Sequence, residues 1–231
     1  MGVQLTTGKI VTVFLPPLTA IKGAVTALMD TATAEDHEAR SALLAETLTA
    51  ADRLDAIVEN LHCMSLLESG TLTVKKSDND IIDLVSVVAD KLGNKSQDHP
   101  LSIRVDEDVV AVSFDFVLIV HVLTNILLNL EHTPSGTPVA ITVERKGHGI
   151  QLTVSDEGPG VLPEELPDLF GRFFRGQNAA KSGVGLGLSI CKGIVEAHGG
   201  NIGASINRKG GLSVVIVLPH CISPAGAGAA S

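Results

Sequence analysis

The chain has 231 residues, a formal net charge of −9 at pH 7 and 45% hydrophobic residues, which exclude disorder over most of its length. Its 26 acidic against 17 basic residues, and six Phe without Trp or Tyr, argue against nucleic-acid binding. Three widely spaced cysteines exclude a disulfide scaffold and favour the reducing cytoplasm. Since no apolar run reaches the ~18–20 residues of a membrane helix, we expect a soluble chain without a membrane span.

The first part of the chain predicts two helices joined by a polar break. The first helix has an apolar stripe at helical spacing, formed by Leu18, Ile21, Val25 and Leu28. The break covers Thr31–Glu38, and the second helix ends at Gly70, a typical residue just past a helix end. Because such a hairpin is too thin to bury both faces, we expect a homodimeric four-helix bundle, or packing against the rest of the same chain.

After Gly70 the pattern changes to strands interleaved with helices. We predict strands at Leu72–Val74, Leu101–Val105, Val139–Val143, Ile150–Val154 and Ser213–Leu218. Helices are predicted at Ile81–Leu92, Phe116–Leu130 and about Leu186–His198. This order predicts an α+β fold, in which residues 1–74 form the helical hairpin and residues 75–221 form an α/β sandwich with helices on one face. We expect residues 222–231 to be a disordered tail.

Two clusters in the mixed part suggest nucleotide chemistry. Asn125 and Asn129 share one face of an apolar helix, and an amide oxygen is a hard ligand suited to Mg²⁺ that carries phosphates. A buried amide pair that caps a loop is the alternative. Asp156 follows a predicted strand, where a carboxylate can accept a hydrogen bond from an exocyclic amine such as that of adenine, while Gly158 and Gly160 let the backbone approach. The same glycines are also typical of an ordinary turn.

A third cluster, Gly183–Ser189, alternates glycines before a helix, where exposed amides and the helix dipole favour an anionic phosphate. Just upstream, the segment Phe170–Gly176 contains three of the six Phe together with Arg172 and Arg175. This segment predicts either the hydrophobic anchor of a loop or an aromatic latch beneath a mobile lid, with an arginine that reaches phosphate.

The order of these clusters resembles the ATP-binding domain of sensor histidine kinases, a fold shared with gyrase, heat-shock-90 and mismatch-repair ATPases. The matching segments are the N box (Asn125–Pro134), the G1 box (Asp156–Gly160), the F box (Phe170–Arg175) and the G2 box (Gly183–Ser189). Upstream, Pro17–Ile21 and Asn60–Gly70 are similar to the dimerisation helices of these kinases. The potassium-responsive sensor kinases are the subgroup that the chain resembles most.

The resemblance implies a histidine kinase that uses ATP and Mg²⁺, dimerises through its hairpin and acts with the receiver domain of a response regulator. It implies that Asn129 holds Mg²⁺, that Asp156 accepts the adenine amine, and that residues 176–182 form a lid. The other residues implied in nucleotide binding are Asn125, His132, Gly158, Gly160, Phe170, Arg172, Arg175, Gly183, Gly185, Leu186, Gly187 and Leu188.

The residue type at the position of Asn125 differs between the kinases and the hydrolytic members of this fold. The hydrolytic members carry Glu at this position, four residues before the metal-binding Asn, and use it as a general base that activates water. The resemblance therefore implies that the phosphoryl group passes to a protein nucleophile rather than to water.

The phosphoacceptor motif of the family is missing. Its histidine position is occupied by Thr12 and its acidic position by Val13, so the catalytic phosphoacceptor of this chain stays unassigned. The neighbouring Pro16 and Pro17 disfavour a helix through this site, so we expect the first helix to begin near Pro17. Phosphotransfer would then reach a histidine on another chain. The alternative is a degenerate pseudokinase that dimerises and binds nucleotide or a response regulator without chemistry.

The N box is one residue shorter than the family pattern between Asn129 and Pro134. If the gap falls after Leu130, Asn129 keeps the metal position and its four-residue spacing from Asn125. If the match is anchored on the residues before Pro134 instead, Leu128 occupies the metal position and cannot bind Mg²⁺.

Overall fold

The computed structural model describes residues 7–29, 36–92, 99–107, 109, 111–129, 133–147, 149–176 and 185–219, with the side chains of all of these except 7–12, 92 and 111. The chain divides into two compact units, an N-terminal helical unit that ends at Thr71 and a mixed unit that begins at Leu72. None of the helices in these ranges combines the length and the apolar composition that a membrane crossing requires.

The helical unit is a hairpin of α1 (Thr7–Leu28) and α2 (His37–Glu68), which pack against each other. The Asp36 side chain begins α2, because it accepts hydrogen bonds from the backbone N–H groups of Glu38 and Ala39 at 3.0 and 3.1 Å. Gly70 follows the last turn with φ +67°, as its place in the sequence predicts.

The expectation that the first helix begins near Pro17 is wrong. Helix α1 begins at Thr7 and contains both Pro16 and Pro17 in its interior. Each proline removes one N–H donor from the helical ladder, but the turns on either side keep theirs. Because tertiary packing supplies most of the stability of a protein helix, the contact with α2 is enough to maintain α1 through this site.

In the residues that the structure describes, the mixed unit combines a five-stranded sheet with three α-helices. In chain order it contains β1 (Ser77–Asp80), α3 (Ile81–Leu92), β2 (Leu101–Val105), β3 (Ala111–Phe114), α4 (Phe116–Leu128), β4 (Val139–Lys146), β5 (Gly149–Asp156), a 3₁₀ helix (Pro163–Asp168), α5 (Gly187–Ala197), β6 (Asn201–Ile206) and β7 (Leu212–Pro219). The sheet order is β2-β4-β5-β7-β6, with β2 parallel to β4 and the other neighbours antiparallel. Strands β1 and β3 form a separate antiparallel pair.

The predicted α+β class is confirmed, and the differences concern individual strands. The strand predicted at Leu72–Val74 is absent, and the next residues form β1 instead. Strands β1, β3 and β6 were not predicted. Strands β1 and β3 have only four residues each, and β1 is wholly polar. Strand β6 does alternate, with Ile202, Ala204 and Ile206 on one face, and this signal was missed. Such strands form because a partner strand satisfies their backbone groups.

The core lies between one face of the sheet and the helices. Register places Val143 of β4 opposite Leu152 of β5, which lies opposite Ile216 of β7, which lies opposite Ile202 of β6. All four side chains are buried, so one row of apolar residues crosses four strands. Helices α4 and α5 pack side by side, and α5 contacts β6 and β7. The strand ends that carry the candidate site therefore project from a rigid core.

Asp115 fastens the segment after Gly70 to the beginning of α4. One of its carboxylate oxygens accepts from the backbone N–H of Leu118 at 3.2 Å and so caps the helix. The other accepts from the backbone N–H of Lys75 at 2.9 Å. Asp115 thereby links Lys75, two residues before β1, to the first turn of α4.

His198 is the C-cap residue of α5, and its side chain links α5 to Asp115 at the beginning of α4. Its ring Nε2 accepts from the backbone N–H of Asp115 at 3.1 Å, and its Nδ1 donates to the Ile194 carbonyl at 2.8 Å. Its own carbonyl accepts from Lys76 Nζ at 2.8 Å. Burial lowers the pKa of this imidazole below its usual 6.5; Lys76 lowers it further, while the Ile194 carbonyl and Asp115 oppose the shift.

We expect His198 to make the mixed unit less stable in mild acid. The unfolded imidazole gains a proton as the pH falls below about 6.5, whereas the buried folded imidazole does not, so the free energy of unfolding falls from that pH downward. Urea unfolding between about pH 7.5 and 5.5 should show a steeper loss for the wild type than for His198→Gln. Parallel losses in the two proteins would contradict this assignment.

Candidate functional site

Asp156 is the centre of the candidate site. It is the last residue of β5 and only 9% exposed. Its Oδ1 accepts from the backbone N–H of Gly158 at 2.8 Å and, more weakly, from that of Leu212 at 3.4 Å. Within the described ranges, no hydrogen bond reaches its Oδ2. The carboxylate is thus held in place by one oxygen, while its other oxygen has no hydrogen-bond partner among the described residues.

Glycines allow the backbone to pack closely beside this carboxylate. A Cβ added at Gly158 would lie 2.7 Å from Thr133 Cγ2 and 2.9 Å from Asp156 Oδ1, closer than real Cβ contacts. Gly160 has φ +61°, and a Cβ there would overlap the carbonyl oxygen of Gly210. Side chains are therefore excluded at both positions, because other atoms of this chain already occupy the space that a Cβ would need.

The two predicted amides lie at the end of α4. Asn125 is 8% exposed, and a Cβ added at Gly187 would lie 3.4 Å from its Oδ1, so the first residue of α5 faces this amide. Asn129 is the C-cap residue of α4, and its Nδ2 donates to the Asn125 carbonyl at 3.2 Å. No hydrogen bond from the described part of the chain reaches Asn129 Oδ1. The helix is regular through Leu128, so the four-residue spacing of the two amides is kept.

The beginning of α5 contains the predicted G2-box residues Leu186, Gly187 and Leu188. Leu186 is the N-cap residue but has no side-chain hydrogen bond to the first turn, so the N-cap residue does not satisfy the first N–H groups of this helix. Leu186 is buried, which anchors the end in the core, while Gly187 and Leu188 are half-buried. The open N–H groups of such a helix end, together with its dipole, attract anions.

The F-box segment contacts the glycine segment that precedes α5. Phe170 is half-buried, whereas Arg172 and Arg175 are exposed. Phe173 has φ +60°, an uncommon conformation for a residue other than glycine. Gly185, at φ +70°, packs against it so closely that a Cβ there would lie 2.5 Å from the Phe174 carbonyl oxygen. The F and G2 segments therefore meet at Gly185.

Some predicted site residues cannot be placed. His132, Gly183 and the lid residues 177–182 lie outside the described residues. Thr12 lies within the backbone of α1, but its side chain is outside the described set.

Sequence reasoning missed the turn between β6 and β7. Asn207 donates from Nδ2 to the backbone carbonyl oxygen of Asp156 at 2.7 Å, and Gly211 packs against the same carbonyl. The segment Asn207–Gly211 has the composition of a hairpin turn, which is the only signal that it carries. Its place beside Asp156 results from the pairing of β5 with β7.

Comparison with known proteins agrees with this geometry. Residues 114–222 match the family described as "Histidine kinase-, DNA gyrase B-, and HSP90-like ATPase". The sensor protein KdpD of Clostridium acetobutylicum is 34% identical over 207 residues, and the signal transduction histidine-protein kinase BaeS of Escherichia coli K12 is 33% identical over 208 residues. Each alignment covers 88% of this chain but 23% and 44% of the two relatives, so the chain spans less than half of their length.

A solved structure shows the same fold. The histidine kinase ThkA, in complex with the response regulator protein TrrA, matches 94% of this chain and 62% of its own with a TM-score of 0.66 and 22% identity. The boxes, the sheet order and these relatives lead to one assignment. The chain belongs to the sensor histidine kinases of two-component systems, and residues 114–222 form its domain of the histidine kinase, gyrase B and HSP90 ATPase type.

Proposed function

We propose that this chain binds ATP with Mg²⁺ and transfers the γ-phosphoryl group to a histidine of a protein. The observation that carries the proposal is the buried carboxylate of Asp156, whose Oδ1 is held by backbone N–H groups while Oδ2 accepts no hydrogen bond from the described residues. The exocyclic amine of adenine is an N–H donor that suits this acceptor. Guanine has a carbonyl oxygen at the same ring position, so two acceptors would face each other and binding would be weaker.

The phosphates would lie at the beginning of α5. Its first N–H groups, which the Leu186 side chain does not cap, suit a bound anion, and Gly183, Gly185 and Gly187 are proposed to share this role. His132, Phe170, Arg172, Arg175, Leu186 and Leu188 are proposed to border the same nucleotide. ATP, when bound, supplies the phosphoryl group, and the chain contributes position and electrostatic stabilisation.

The donor set at the end of α4 fits a magnesium ion that arrives with phosphates. In the described ranges no group of three or more His, Cys, Asp or Glu side chains could hold a metal ion. Mg²⁺ keeps several waters and phosphate oxygens as ligands and needs few from the protein. We infer that Asn129 Oδ1, which accepts no hydrogen bond from the described chain, is the protein ligand.

Asn125 supports transfer to a protein rather than hydrolysis. An amide cannot take a proton from water as a general base does, and burial of Asn125 against Gly187 leaves little room for a larger acid there. With Thr12 at the phosphoacceptor position, the receiving histidine is proposed to belong to another chain.

Two partners and a location follow as proposals. The hairpin exposes large apolar side chains on both helices, among them Leu15, Leu18, Leu44, Leu48 and Val58, which supports dimerisation through a four-helix bundle. The ThkA–TrrA complex supports a response regulator receiver domain as the second partner. The cytoplasm is proposed from the three widely spaced cysteines.

The test is phosphotransfer by the full chain. With γ-labelled ATP and Mg²⁺, we expect an acid-labile, alkali-stable phosphoprotein on a separately supplied, histidine-bearing dimerisation bundle of a histidine kinase. Asn129→Ala should lower the rate by about tenfold or more, because the phosphates and metal lose their protein ligand. Nucleotide binding without any phosphoprotein would indicate a pseudokinase, and release of phosphate without a phosphoprotein would indicate a hydrolase; both contradict the proposal.

A further inference from the structure

The Asn207 side chain makes hydrogen bonds within the β6–β7 turn and a further one to Asp156. Asn207 accepts at Oδ1 from the backbone N–H groups of Lys209 at 3.0 Å and Gly211 at 3.1 Å, which closes the turn. Its Nδ2 donates to the backbone carbonyl of Asp156 at 2.7 Å, across 51 positions of sequence. The turn is therefore attached to the residue at the centre of the candidate site.

The attached turn also contacts the carboxylate. Leu212, the first residue after the turn, directs its backbone N–H toward Asp156 Oδ1 at 3.4 Å. At Gly211 an added Cβ would overlap the Asp156 carbonyl oxygen and lie 2.9 Å from Oδ1. A displacement of the turn would thus remove the weaker of the two N–H groups that hold Oδ1 and would leave the carboxylate held by the Gly158 N–H alone.

A second contact joins the same two segments at the surface. Lys209 Nζ forms an ion pair with Glu157 Oε1, and both side chains are solvent-accessible. Exposed ion pairs contribute little to stability, so this contact alone cannot hold the turn. The Asn207 bond is part-buried and is the stronger of the two attachments.

We propose that Asn207 is a positioning residue for nucleotide recognition: it holds the β6–β7 turn against Asp156 so that Oδ2 faces the exocyclic amine of adenine. The inference rests on the proposed ATP binding and assigns Asn207 a role in base selection. Asn207 bonds the backbone of Asp156 and not the ligand, so it acts through the orientation of the carboxylate.

The variant Asn207→Asp breaks the bond to Asp156 and places a carboxylate oxygen against the Asp156 carbonyl oxygen. An aspartate retains the acceptor for Lys209 and Gly211 but has no N–H to donate to the Asp156 carbonyl. Calorimetry with the full chain and Mg²⁺ would compare ATP with purine riboside triphosphate, which has the same ring and phosphates but no exocyclic amine. We expect ATP affinity to fall about tenfold and the affinity for the purine analogue to change by less than about twofold.

The ratio of the two affinities cancels the added charge, since both ligands carry the same phosphates. Arg208→Ala, in the same turn but without a bond to Asp156, should leave the ratio unchanged. Unchanged ATP affinity in Asn207→Asp, or an equal loss for both ligands, would overturn the positioning role. Failure of the wild type to bind ATP would instead refute the proposed function on which the role rests.

Discussion

The Asp156→Asn substitution is expected to weaken ATP binding about 100-fold, or about 2.8 kcal/mol, while the protein stays folded. The amide oxygen of Asn can still accept from the Gly158 N–H, so the loop keeps its bond. The amide nitrogen then replaces Oδ2, and its N–H groups face the N–H of the adenine amine. Two donors that face each other in a partly buried site leave both without a partner. Calorimetry with ATP and Mg²⁺ measures the loss.

Asp90→Asn is the matched control for Asp156→Asn. Asp90 is an exposed carboxylate of α3, so the same chemical change occurs away from the strand end. We expect Asp90→Asn to bind ATP as the wild type does. We also expect Asp90→Asn and Asp156→Asn to unfold at similar urea concentrations. If Asp156→Asn bound ATP within about threefold of the wild type, the carboxylate could not be the acceptor of the adenine amine.

The second large effect is expected from Gly160→Ala. At φ +61° an alanine pays about 1–2 kcal/mol in backbone strain, and its Cβ overlaps the Gly210 carbonyl oxygen, so the loop after Asp156 must move. We expect urea unfolding to show a loss of roughly 2–4 kcal/mol. ATP affinity should fall at least about tenfold, because the displaced loop carries the Gly158 N–H that holds Asp156.

Gly147→Ala is the control for Gly160→Ala, because it has the same backbone strain without the overlap of the added Cβ with a neighbouring carbonyl. Gly147 has φ +59°, nearly the same as Gly160, but nothing lies within 4 Å of an added Cβ. It should lose only the strain of about 1–2 kcal/mol and keep its ATP affinity, since it lies in the β4–β5 turn. Equal losses of stability in Gly160→Ala and Gly147→Ala would contradict the prediction, because they would show that the overlap of the added Cβ at Gly160 costs no free energy.

The spacing of apolar residues along the sequence correctly predicted the helices and strands that have a clear helical or strand period of their own. Helix Ile81–Leu92 and strand Leu101–Val105 have the predicted bounds, because their apolar residues repeat at the helical or strand period. The hairpin around Gly147 was equally clear, since alternating strands flank a glycine turn. Where an element depends on a distant partner, pattern failed: β1 is wholly polar and exists through its pairing with β3.

The first helix is a second case in which a local pattern failed, but here the pattern predicted too little regular structure rather than missing a strand. Two adjacent prolines lower the local helical propensity, and the prediction therefore placed the start of the helix at Pro17. The structure continues the helix upstream to Thr7 because α1 packs along α2. Local propensity is a weak term when a long helix has an apolar partner.

The sequence by itself determined the fold class. Through its resemblance to the kinase family it also predicted the four boxes and the central residues of the site, among them Asp156 and Asn125. Fold class depends on residue type and spacing, which are local properties. Tertiary structure alone decided what surrounds them: the Asn207 turn on the Asp156 carbonyl, Gly187 against Asn125, and His198 bonded to Asp115 from 83 residues away. Such contacts depend on which strands pair and which helices lie side by side, and no local pattern encodes that choice.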